Sequence, residues 1–92
     1  MSQVSMTTRA VAFRTILRTL AAEGRFGTKV RFDTVAVAIA DKISLAEGLG
    51  LAEDTGMVQG YKYPGDFDYS HLSLTSDGME YYRELVNAGV TA

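Results

Sequence analysis

The 92-residue chain has no cysteine, which excludes a disulfide framework and any zinc site built on thiolates. It has no tryptophan, one proline (Pro64) and one histidine (His71). A metal site could be drawn from His71 with Asp66 and Asp68, but a turn followed by a strand accounts for the same residues, so neither metal nor cofactor is expected. No serine, lysine or carboxylate pair forms a recognisable catalytic set with His71, so an enzyme is not expected either. No apolar run approaches the ~20 residues of a membrane span. Acids are missing from Met1 to Ala22, where Arg9, Arg14 and Arg18 punctuate a threonine-rich stretch. Mitochondrial transit peptides share that composition, but helical spacing favours the first helix of a domain. Lack of cysteine fits a reducing compartment, and the expected location is the cytoplasm.

What is present suffices for one small domain over residues 1–92, with 47% hydrophobic residues to build one modest core. The net charge of −2 is unevenly spread. Residues 1–31 hold six bases and one acid, and residues 32–92 hold three bases and ten acids. Such asymmetry steers a polyanion to one end, or allows contact between copies.

Phe13, Ile16, Leu17 and Leu20 form one apolar face and predict a first helix over about 8–23, with Gly24 ending it in a left-handed conformation. Alternation over 28–32, with Val30 and Phe32 inward and Lys29 and Arg31 outward, predicts a short strand. Asp33 is a candidate N-cap for a second helix over 34–43, with Val35, Ile39 and Ile43 recurring every four residues. Ser44 and Glu47 have capping-box spacing and open a third helix over about 44–55, with Leu45, Leu49 and Ala52 inward. Gly48 and Gly50 weaken that helix, or allow close packing, and Gly56 is its expected stop. Residues 57–63 and 69–75 read as a hairpin joined by turn chemistry at 64–68. Thr75 or Asp77 then caps a fourth helix to about Ala88. The expected core is Phe13, Leu17, Leu20, Ile39, Leu49, Val58, Leu72 and Leu74.

Helix, short strand, helix, tight turn, helix, hairpin, helix is an α+β order. Within residues 56–85, Gly56-Met57-Val58-Gln59-Gly60-Tyr61 leads through Leu74-Thr75-Ser76-Asp77-Gly78 to Leu85. There a leucine–threonine pair ends the hairpin, and a glycine follows three residues after the threonine. The stretch resembles the wing and final helix of PadR-like and MarR-like winged helix-turn-helix regulators, and also resembles small YjcQ-like bacterial and phage proteins. The resemblance implies a winged helix acting in transcription regulation, with DNA bound by the third helix and the wing touching the backbone.

The third helix departs from that pattern. It offers Ala46, Glu47, Gly48, Gly50, Glu53 and Asp54, with no Arg, Lys, Asn or Gln from Ser44 to Gly56 to read base edges. A DNA-binding reading therefore rests on phosphate contacts by Arg25, Lys29, Arg31, Lys42 and Lys62, with Ser44 at the helix start. The alternative is a protein-interaction module, with Glu47, Glu53, Phe67 and Tyr81 in the contact, or a homodimer formed through the first and fourth helices. Tyr81 and Tyr82 are adjacent on the fourth helix, so the expectation is that only one of them faces the core.

Overall fold

The computed structural model describes residues 2–39, 41–65 and 69–89, with side chains from residue 9 onward. Its elements are α1 (Ser2–Glu23), β1 (Val30–Arg31), α2 (Phe32–Ala38), α3 (Lys42–Asp54), β2 (Val58–Lys62), β3 (Tyr69–Leu74) and α4 (Ser76–Asn87). The three strands form one antiparallel sheet in the order β1-β3-β2. The molecule is thus a small α+β domain of four helices and a three-stranded sheet.

Helix α1 is the centre of the packing. Ala12, Phe13, Ile16, Leu17 and Leu20 lie one helical turn apart and are all buried, because a single stripe at 3.6-residue spacing must face the other elements. Thr15 and Thr19 turn their hydroxyls back to the carbonyls of Val11 and Thr15, both at 2.8 Å, so these polar atoms are satisfied within the helix. Val35 of α2, Leu45, Leu49 and Ala52 of α3, and Val58, Leu72 and Leu74 of the sheet close the core over α1. Every expected core residue is buried except Ile39, which is half-buried and packs against the edge of the cluster.

Several boundaries differ from the sequence reading. Helix α2 starts at Phe32 and ends at Ala38, and its N-cap, Arg31, makes no side-chain capping bond. Asp33 is therefore a first-turn residue and not the cap. Ile39 adopts an extended conformation (φ −127°, ψ 104°) that stops α2 well short of Ile43. Asp41 then caps α3 by accepting from the amides of Ile43 and Ser44. The capping box at Ser44 is not formed. Ser44 is buried inside the first turn, and its hydroxyl donates to Asp41. Gly24 follows α1 without a left-handed φ, which falls instead on Gly27 at 85°.

Gly56, the expected stop of α3, is left-handed (φ 74°), as is Gly89 (φ 80°) after α4. Thr75 caps α4 by accepting from the Gly78 amide at 3.0 Å. Its hydroxyl also lies 2.7 Å from the Gly56 carbonyl oxygen and 3.0 Å from that of Met57, tying the start of α4 to the end of α3. Among the described residues, no helix is long and apolar enough to cross a membrane.

Candidate functional site

Helix α2 ends at Ala38 and α3 begins at Lys42, and the two helices and the start of β3 enclose an open cleft of about 750 Å³. Phe32, Ala36 and Ile39 line one wall, and Leu45, Ala46, Leu49 and Gly50 line the other. Asp33, Lys42, Glu53 and Tyr69 form the rim. The side of α3 that faces the cleft is therefore mostly apolar, with Glu53 toward its end and Lys42 at its start, while Glu47 and Asp54 stand outside the cleft lining. Val37 and Ile43 add strongly exposed apolar side chains where α2 passes into α3.

Tyr69 organises the rim. Its ring stacks on Phe32 with centroids 5.8 Å apart, and its hydroxyl donates to the Glu53 carboxylate. The Lys62 ammonium lies 4.8 Å from the Tyr69 centroid, within cation–π range. The ring fits only because residue 60 is glycine, since a Cβ there would collide with the Tyr69 ring. Burial pushes the Tyr69 phenol up to about 12, with the Glu53 hydrogen bond and charge acting in the same direction. Glu53 is thus engaged within the chain while it also borders the cleft.

The opposite face of the sheet has a different character. Strand register sets Arg31 opposite His71, and His71 opposite Tyr61, in one row across β1-β3-β2. Val30, Leu72 and Gly60 form the neighbouring row toward the helices, so alternation turns the first row outward. The Lys29 ammonium lies 4.5 Å from the Tyr61 centroid. The exposed Tyr63 ring meets His71 edge-on with centroids 6.5 Å apart. The Ser73 hydroxyl donates to the Tyr61 hydroxyl at 3.3 Å. Arg31 forms a 3.6 Å ion pair with Asp33, both side chains being well exposed.

The residues picked from sequence are therefore not one surface. Lys29 and Arg31 share the outer sheet face. Lys62 covers Tyr69 on the side of α3, beyond the register shift between Tyr61 and Lys62. Lys42 stands at the start of α3, and Arg25 is exposed in the loop after α1. Ser44 is 6% exposed, and its hydroxyl donates to Asp41. Tyr81 packs on Phe13 with centroids 5.9 Å apart, and both Tyr81 and Tyr82 border the core. This corrects the expectation that only one of the pair could do so. Glu47 is half-buried on α3. Phe67, Asp66 and Asp68 lie outside the described residues.

Sequence reasoning missed the Tyr69–Glu53–Phe32 cluster. Its one local signal was Gly60, since an isolated glycine in a strand marks a close approach. Among the described residues, no group of three or more His, Asp or Glu is placed to hold a metal ion. No family model, curated protein or solved structure matches the chain.

Proposed function

We propose that the chain is a winged helix whose helix-turn-helix face contacts another protein instead of reading DNA. The observation that carries this reading is the apolar cleft between α2 and α3, where a base-reading surface would have to lie. Element order and the β1-β3-β2 sheet agree with a winged helix, in which α2 and α3 form the helix-turn-helix and β2-β3 the wing. A recognition helix in the major groove reads bases with Arg, Lys, Asn or Gln, and past Lys42 helix α3 has none of these. Small residues over an apolar floor instead receive side chains from a partner segment, as a groove receives the apolar face of a helix or extended peptide.

The test uses Gly50→Arg. The space around Gly50 is open, so the substitution fills the cleft without entering the core. Peptides selected from a random library against the wild-type chain should lose binding to the variant, while the amide spectrum of the variant shows an intact fold. Random-sequence duplex DNA should leave the NMR amide signals of α3 unmoved at low salt. Library peptides that bind the variant equally well, or duplex DNA that shifts the α3 amides, would overturn the reading.

A further inference from the structure

The sheet face that carries Lys29, Arg31, Tyr61, Tyr63 and His71 supplies none of the side chains that line the cleft, and meets its rim at Phe32, Asp33 and Tyr69. We propose that this face binds a single-stranded polynucleotide, with the rings accepting bases and the two cations neutralising phosphates.

Three observations converge on that ligand. First, strand register fixes rings and cations side by side. Arg31, His71 and Tyr61 stand in one row across the three strands, and Tyr63 extends the row past His71. Unpaired bases stack on an exposed ring such as Tyr63 whatever their sequence, because each base has a π-face, and the half-buried His71 stands edge-on beside it. Second, the rings are held in place. Tyr61 is fixed by the Ser73 hydroxyl and by Lys29 above it, and His71 Nδ1 lies 3.1 Å from the Ser70 hydroxyl. A platform ordered beforehand loses little conformational entropy on binding.

Third, the charge matches. Lys29 and Arg31 are exposed, and Arg25 is exposed in the loop that the Gly27 amide ties to the Leu74 carbonyl at the end of β3, at 2.8 Å. Asp33 already holds Arg31, but an exposed pair of this kind contributes little, so a phosphate competes for the guanidinium. A duplex fits less well, because its bases are already paired and stacked and so are not free to stack on the rings.

The experiment titrates the chain against fluorescein-labelled oligothymidylate and oligouridylate, each about ten nucleotides long, a length within the usual site size. A duplex of the same length is the comparison, at several salt concentrations. Both single strands should bind, and bind more tightly than the duplex. Their relative affinities identify DNA or RNA as the preferred source. Tyr63→Ala should weaken single-strand binding about five-fold or more. Lys29→Ala should flatten the logarithmic salt slope by about 0.7, one single-strand phosphate contact.

Tyr63 is 61% exposed and Lys29 is also exposed, so neither variant threatens the fold. Shifted amides should map to β1, Tyr61–Tyr63 and His71–Ser73. Gly50→Arg should leave this binding intact, which separates failure here from failure of the cleft reading. The proposal is overturned by no binding at ~100 µM protein and low salt, by a duplex that binds as tightly as the single strands, by a Tyr63→Ala variant that binds like wild type, or by shifts confined to α3.

Discussion

Gly48 of α3 sits directly on Ala12 of α1. A Cβ built at Gly48 would lie 2.7 Å from the Ala12 Cβ and 2.9 Å from the Phe13 amide nitrogen. This contact lets the two helices approach closely enough to bury Leu45, Leu49 and Ala52 against the α1 stripe. Gly50, two residues on, has nothing within 4 Å of its notional Cβ. The two glycines share a helix, so their intrinsic propensity is the same and only the contact differs. Gly50→Ala should stabilise the fold by about 1 kcal/mol, the usual helix gain over glycine. Gly48→Ala makes the same gain but forces the helices apart, and should be net destabilising by about 1–3 kcal/mol. Urea unfolding of both variants checks the opposite signs. Equal shifts in one direction would mean that α3 does not pack on α1 as described.

A second prediction concerns the corner where α3, β2 and α4 meet. Thr75 accepts from the Gly78 amide and reaches the carbonyls of Gly56 and Met57. Thr75→Ala should cost about 1–2 kcal/mol, as other cap losses do, and Thr75→Ser should recover most of it. Gly78→Ala places a methyl group on the Met57 carbonyl oxygen and should destabilise more than an exposed glycine replacement would. Thermal melts of the three variants are the measurement. A Thr75→Ser variant as unstable as Thr75→Ala would show that the hydroxyl is not the active group.

These corners show what the sequence could and could not display. Phe13, Leu17, Leu20, Leu49, Val58, Leu72 and Leu74 were legible as core because burial itself imposes the 3.6- and two-residue periods. Ile39 fitted the same period, but α2 ends before it, and no local pattern marks that stop. The stretch Asp41-Lys42-Ile43-Ser44-Leu45-Ala46-Glu47 contains two overlapping cap signals, one at Asp41 and one at Ser44. The earlier signal wins because the Ser44 hydroxyl is itself a partner of Asp41. Glu53 and Tyr69 are sixteen residues apart, so their bond depends on how β3 crosses α3. The cations at 29 and 62 were read as one set, yet they cover different tyrosines on opposite faces: alternation along β2 puts Lys62 with Gly60 and away from Tyr61, and the register shift, which skips Ser70, pairs it with Tyr69. The cleft was hidden for the same reason, since its walls come from separate elements.

The α3 cap makes stability depend on acid. The Asp41 carboxyl is held below its ordinary value of 3.8, chiefly by the Ser44 hydroxyl and then by the Ile43 amide. Its folded value is depressed, so its contribution is present above the ordinary value and is lost as pH falls through the folded one. Melting temperature should therefore fall more steeply below roughly pH 4 in the wild type than in Asp41→Asn, whose cap does not titrate. Ser44→Ala removes the largest cause and should reduce the difference. Parallel pH curves for wild type and Asp41→Asn would rule out the capping role.

Alkali tests the Tyr69–Glu53 bond, and the sign runs the other way. Burial first, and the hydrogen bond and charge of Glu53 next, push the Tyr69 phenol up to about 12. The unfolded chain releases that proton near the ordinary value of 10, and the folded chain keeps it. Between these values the unfolded state binds fewer protons, so stability falls as pH rises through the interval and levels off above it. An ultraviolet titration of the folded chain should show a late tyrosine component near 12 that belongs to Tyr69. Glu53→Gln removes the charge but leaves an amide oxygen to accept from the phenol. The late ionisation should therefore move down toward 10 without returning fully, because burial remains. Tyr69→Phe should abolish the late component, leave Phe32 its stacking partner, and flatten the alkaline loss of stability. If the late component survives in Tyr69→Phe, it belongs to another tyrosine, and the rim of the cleft is not built on the Tyr69–Glu53 bond.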